Sequence, residues 1–90
     1  MRPSPDVVWR DLEGEAVLLD LASGTYFGLN DVGTRIWQLL AAGEPVNRIA
    51  EVLAGEYDVS GDDARRDVEA LLAELRARKL VVEERPGIAP

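Results

Sequence analysis

The chain has no cysteine and no histidine. The first absence excludes disulfides, thiolate zinc sites and thiol nucleophiles; the second removes the commonest general base and the commonest transition-metal ligand. Basic residues are few, 10 Lys and Arg against 17 Asp and Glu for a formal net charge of −7, which argues against a general binder of phosphate backbones. Long apolar runs are also missing: none approaches the ~20 residues of a membrane span. The opening residues Met1-Arg2-Pro3-Ser4-Pro5 lack the apolar segment of a signal peptide, so the expected location is the cytoplasm, away from the membrane. The side chains left for chemistry are carboxylates, Lys, Tyr, Ser and Thr. Their adjacent pairs, Asp62-Asp63 and Glu83-Glu84, point apart and read as caps and solvated faces. No catalytic residue, metal site or cofactor is expected.

What the chain does have is enough apolar material for one core. Ninety residues, 47% of them hydrophobic, suit a single small domain. The first third is β-rich: residues 7–11, 16–20 and 25–29 read as short strands separated by the turns Leu12-Glu13-Gly14-Glu15 and Leu21-Ala22-Ser23-Gly24, with Gly24 able to take a positive φ. The remainder is helical. Asn30 is a good N-cap, and Val32, Ile36, Leu39 and Leu40 follow at helical spacing to a stop at Gly43. A second helix runs from near Pro45, with Val46, Ile49, Ala50 and Leu53 on one face, to Gly55. Ser60-Gly61-Asp62-Asp63 resembles a capping box and opens a third helix expected over residues 61–79. Residues 80–83 are expected to add a short strand.

The expected fold is therefore α+β and winged helix-turn-helix-like, a three-stranded antiparallel sheet followed by three helices. Residues 1–6 are expected as a flexible N-terminus, 7–83 as the domain and 84–90 as a flexible tail. Winged domains commonly read DNA, so a DNA-binding regulator is one alternative. The third helix opposes it, because it begins with Asp62 and Asp63 where a reading helix presents Arg, Lys, Asn or Gln.

At about 100° per residue, with Ala64 as zero, Leu71 falls near −20°, Leu75 near 20°, Val68 near 40° and Leu72 near 80°, a core-facing stripe. Asp67, Glu74 and Arg78 lie on one flank, and Leu71 borders them. The third strand, Thr25-Tyr26-Phe27-Gly28-Leu29, is short and aromatic; at a sheet edge it offers backbone N–H and C=O groups to an extended peptide. By alternation Phe27 and Leu29 share the core face, whereas Tyr26 points the other way as the better contact side chain. Gly28 reads either as a gap for a close approach or as a bulge. Trp37 is expected in the core, and Trp9 either covers an edge or joins a dimer contact.

Tyr26-Phe27-Gly28-Leu29-Asn30, Val32-Gly33, Ile36-Trp37, Leu39-Leu40, Val46 with Ile49, and Asp67-Val68 with Leu72 and Leu75 form an ordered set. Together they resemble the PqqD-like family, the RiPP recognition elements of ribosomal peptide biosynthesis. The resemblance spans roughly residues 7–82. It implies a non-catalytic adaptor whose third strand is extended by the leader of a precursor peptide lying against the third helix. The implied leader-binding residues are Thr25, Tyr26, Phe27, Gly28, Leu29, Asp67, Val68, Leu71, Glu74, Leu75 and Arg78. The turn before the third strand resembles that of the stand-alone lasso-peptide members, which implies a leader peptidase or other modifying enzyme of the same pathway as partner. A PqqD-type chaperone for a radical SAM enzyme is the alternative. Monomer and homodimer both remain open.

Overall fold

The computed structural model describes residues 1–83, so the expected tail at 84–90 lies outside the described residues. The elements run β1 (Arg2–Pro3), β2 (Val7–Leu12), β3 (Glu15–Asp20), β4 (Thr25–Gly28), α1 (Asp31–Ala41), α2 (Val46–Tyr57), α3 (Gly61–Ala77) and β5 (Val81–Val82). Strands β2, β3 and β4 form the expected antiparallel sheet in that order, with three helices after it. Among the described residues no helix is long and apolar enough to cross a membrane.

Local chemistry explains the sheet. Glu13 and Gly14 both take positive φ, 54° and 87°, the conformation of a two-residue hairpin turn whose twist matches that of the strands it joins. At the next turn Gly24 has φ 74°, its N–H donates to the Asp20 carbonyl at 2.7 Å, and the Asp20 carboxylate accepts from Ala22 N–H and Ser23 Oγ. Alternation then places Val7, Ala16 and Leu18 on the buried face and lines up Val8, Leu19 and Tyr26 across the other.

The helices cover the buried face. Ile36, Trp37 and Leu40 of α1, Ile49 and Leu53 of α2, and Val68, Leu72 and Leu75 of α3 are all buried in one core with Leu18. Asn30 caps α1 by accepting from Gly33 N–H at 2.8 Å, and Ser60 caps α3 by accepting from Asp63 N–H at 3.1 Å. Where the β3–β4 ladder runs out, buried Thr34 replaces a strand partner: its Oγ1 accepts from Ala16 N–H at 2.7 Å and lies 3.5 Å from the Leu29 carbonyl. This fixes the corner between β4 and α1.

Three expectations need correction. Residues 1–6 are not a free end: Arg2 and Pro3 pair with Val82 and Val81, Ser4 N–H donates to the Leu80 carbonyl at 2.9 Å, and Ser4 is buried. Helix α2 passes Gly55, which weakens but does not break a helix, and ends at Tyr57 with Asp58 left-handed at φ 54°. Helix α3 ends at Ala77 rather than at 79. Lys79 takes φ 59°, and bonds from Lys79 N–H to the Arg76 carbonyl and from Leu80 N–H to the Leu75 carbonyl turn the chain back. That reversal buries Leu80 and Val81 and delivers β5 to β1.

Candidate functional site

Strand β4 lies at one edge of the sheet. Leu29 N–H donates inward to the Ala16 carbonyl at 2.8 Å, which sets the phase of the ladder. Backbone groups alternate in direction along an antiparallel strand, so Thr25 and Phe27 also bond toward β3. Tyr26 and Gly28 therefore turn both N–H and C=O to the open edge. The β3–β4 register is unbroken through Gly28, so there is no bulge there, and a Cβ built on Gly28 would meet nothing within 4 Å. The space beside that backbone is open.

Helix α3 supplies a wall beside this edge. A hollow of about 470 Å³ lies between β4 and the helices, lined by Phe27, Gly28, Leu29, Asp67, Leu71 and Glu74 together with α1 residues. A second hollow, about 780 Å³, continues past Thr25 and Phe27 toward Arg78 at the end of α3 and the β5 strand. Phe27 borders both. The Arg78 guanidinium sits 4.7 Å over the Phe27 ring, and Glu74 Oε2 lies 3.6 Å from Arg78 Nη2. We call these two hollows, which share Phe27, the channel: it is apolar at Phe27 and Leu71 and charged along the α3 rim.

Most of the sequence-derived residues converge here, but not all in the expected way. Val68 and Leu75 have no exposed surface; they back the wall from within the core and cannot touch a ligand without rearrangement. Leu29 is buried too, at the foot of the smaller hollow. The rings of Tyr26 and Phe27 do not sit as their expected roles require. The Tyr26 ring, 67% exposed, is on the opposite sheet face and lines neither hollow, so only its backbone faces the β4 edge. The Phe27 ring shares the core face yet lies at its margin, half-buried, and forms the floor of the channel.

Other lining residues were not foreseen. Val32, Gly33 and Ile36 of α1 close one end of the smaller hollow, and Ala70 lines its α3 side. Ala70 had a usable signal: at about −120° on the helical wheel it continues the flank of Asp67 and Glu74. The α1 residues had none, because they enter the site through the tertiary corner held by Thr34. A Cβ on Gly33 would lie 3.2 Å from Asn30 Oδ1, so its absence leaves room for the cap. The larger hollow adds Ser4, Asp20, Ser23, Arg76 and Lys79. Arg76 is held by Glu83 at 2.9 Å. Among the described residues, no group of three or more carboxylates could hold a metal ion. The arrangement offers hydrogen bonds along a line, an apolar floor and a charged rim, which is the chemistry of holding an extended chain.

Comparison with known proteins identifies the family. The family described as Coenzyme PQQ synthesis protein D (PqqD) matches residues 15–81. The solved structure of TbiB1 in complex with the TbiA(beta) leader peptide is similar over 96% of this chain and 100% of that one, with 37% sequence identity and a TM-score of 0.89. A lasso peptide synthetase B1 complexed with the leader peptide is similar over 91% of this chain and 96% of that one, at 34% identity and a TM-score of 0.84. No curated protein sequence matches the chain. With most of its length covered by the family pattern and by relatives above 30% identity, the chain belongs to the PqqD family.

Proposed function

We propose that this protein is a RiPP recognition element that binds the leader of a ribosomally made precursor peptide at the β4 edge and presents it to the leader peptidase of a lasso-peptide pathway. The reading rests on one conjunction: a walled strand edge, unpaired among the described residues, in a chain that aligns over nearly its whole length with two proteins solved as leader-peptide complexes. It also rests on what the edge can do energetically. Tyr26 and Gly28 each offer an N–H and a C=O, so an added strand makes up to four backbone hydrogen bonds, at a net ~0.5–1.5 kcal/mol each. Ordering a flexible leader costs roughly 2–5 kcal/mol, which nearly cancels that gain.

Apolar anchoring must therefore decide affinity. Phe27 bonds inward, so the leader residue opposite it forms a non-hydrogen-bonded pair, with the closest side-chain approach, about 4.5 Å between Cα atoms. Its side chain lies on the face of Phe27 and enters the channel beside Leu71. Burying one such apolar side chain gains about 1.5–3 kcal/mol. The charges of Asp67, Glu74 and Arg78 stand at the rim, where they steer encounter more than they hold the complex. The protein acts by holding and orienting; bond cleavage belongs to the partner enzyme.

Where a short precursor gene adjoins the gene for this chain, the test is titration of its fluorescently labelled leader, followed by anisotropy. Saturable binding, competed by unlabelled leader and not by a scrambled peptide, is the expected result. Absence of saturation up to about 1 mM, beyond which affinity is weaker than ~4 kcal/mol, would overturn the proposal. Faster cleavage of the precursor by a leader peptidase of the same gene cluster when this protein is added would then establish the pathway.

A further inference from the structure

The opposite edge of the sheet is strand β2, and it carries three of the large exposed apolar side chains: Val8 (47%), Trp9 (44%) and Leu12 (51%). Leu21 N–H donates to the Asp6 carbonyl at 2.9 Å, which sets the ladder phase on this side. Val8, Arg10 and Leu12 thus bond toward β3, and Trp9 and Asp11 turn N–H and C=O outward. Val7 adds an outward carbonyl, its N–H being taken by the Ser4 carbonyl at 3.1 Å. Soluble proteins usually blunt a free edge by shortness, charged side chains, proline or a bulge. This one carries charge at Arg10 and Asp11 but has six residues, an unbroken register and no proline, and among the described residues no strand pairs with its outer side. Neither hollow described above includes a β2 residue.

We infer that β2 pairs antiparallel with β2 of a second copy of this chain, about a two-fold axis at Trp9. Self-pairing of an edge requires outward-facing residues to meet outward-facing residues, which leaves few registers. An axis at Asp11 sets Asp11 against its own copy, and one at Arg10 does the same for the guanidinium; like charges directly opposite are destabilising. An axis at Val8 uses only the bonds from Trp9 N–H to the Val7 carbonyl, because Val7 N–H is occupied. The axis at Trp9 forms reciprocal Trp9 bonds and, in addition, bonds from each Asp11 N–H to a Val7 carbonyl.

Side chains agree with that register. Val8 falls opposite Arg10 of the other copy, whose aliphatic stem covers it. Trp9 falls opposite Trp9, and each ring already meets Trp37 edge-to-face at 5.3 Å and 84°, so the pairing extends an aromatic row. The product is a six-stranded sheet in the order β4-β3-β2-β2-β3-β4. Its two β4 edges stay free, five strand spacings or roughly 24 Å apart. If β4 binds leader, as proposed above, one dimer holds two precursors.

The test compares Val8→Glu with Val8→Arg by sedimentation velocity of the full chain over a concentration series. Both variants replace the same exposed apolar side chain with a charged one. Only in the Trp9-centred register does position 8 face Arg10 of the other copy, so V8E should dimerise roughly tenfold more tightly than V8R. Net charge works the other way: from −7, V8E becomes −8 and V8R becomes −6, so a general charge effect would reverse the order. Overturning results are a wild-type chain that stays monomeric up to about 1 mM, equal dissociation constants for the two variants, or the reversed order. Leader titration of the same samples reads β4 alone. A monomeric wild-type chain that still binds leader refutes only this inference, and a dimeric wild-type chain that binds no leader refutes only the leader-binding reading.

Discussion

The two edges of the three-stranded sheet start from the same backbone chemistry and end in different surfaces. On β4, Tyr26 and Gly28 present their N–H and C=O groups; on β2, Trp9 and Asp11 do. Beside β4 stands α3, with Leu71, Asp67, Glu74 and Arg78 across a channel floored by Phe27. Neither hollow reaches β2, which among the described residues presents exposed apolar and charged side chains. A bare edge accepts any strand that reaches it, because main-chain hydrogen bonds carry no sequence information. A walled edge adds pockets for alternate side chains, and selectivity arises there.

The comparison is broken most severely at Gly28. Gly28→Pro removes an outward N–H from β4 without touching the inward bonds of Phe27 and Leu29, and its ring intrudes on the open edge. Leader affinity should fall more than about 30-fold, the loss of a hydrogen bond plus steric exclusion, roughly 2 kcal/mol or more. Gly28→Ala meets nothing within 4 Å and should keep the fold by circular dichroism. Unchanged leader affinity in a folded Gly28→Pro protein would remove β4 from the site.

Next comes the wall. Leu71→Asp places a carboxylate among Phe27, Ile36 and Ala70, and calorimetric titration should show roughly tenfold weaker leader binding, in line with about 1.5 kcal/mol of lost apolar contact. An unaltered isotherm would mean that the leader stays on the strand and never leans on α3. A smaller effect is expected from Asp67→Ala, about twofold at low ionic strength and fading as salt rises, because this carboxylate is exposed at the rim.

The smallest effect on binding, none, is expected from the ion pair on the far side of α1. Arg35 holds Glu56 through two short bonds, 2.9 and 2.8 Å, and the Glu56 carboxyl is held below its ordinary value chiefly by that hydrogen bonding. A carboxyl whose folded-state pKa is depressed contributes stability above its unfolded value and loses it as pH falls through the folded one. Glu56→Gln should therefore lower Tm slightly at neutral pH, and the gap to the wild type should close on acidification. The pair is partly exposed, at 35% and 41%, so the effect is small.

Local signals carried the fold well. Asn30, Ser60, Gly24 and Gly43 each act within a few residues of themselves, and the structure uses them as caps and turns. What escaped the sequence depended on distant partners or on unusual backbone. β1 has two residues, and its partner lies near the other end of the domain. Helix α3 ran two residues short because Lys79 adopts a conformation that more often signals glycine or asparagine. In the site, strand alternation separated Tyr26 from Phe27 correctly, yet which ring meets the channel depended on where α3 sits. Likewise the wheel placed Val68 and Leu75 in a stripe with Leu71, and only packing shows that the first two are sealed while Leu71 is partly open.

Amide hydrogen exchange, resolved residue by residue with and without leader peptide, tests strand addition at β4 most directly. The Tyr26 and Gly28 amides, which point to the open edge, should become protected when leader binds, while Thr25, whose N–H donates to Ser23 Oγ, Phe27, which faces β3, and Trp9 and Asp11 on the opposite edge keep their rates. Leader binding that leaves Tyr26 and Gly28 exchanging as in the free protein would contradict it.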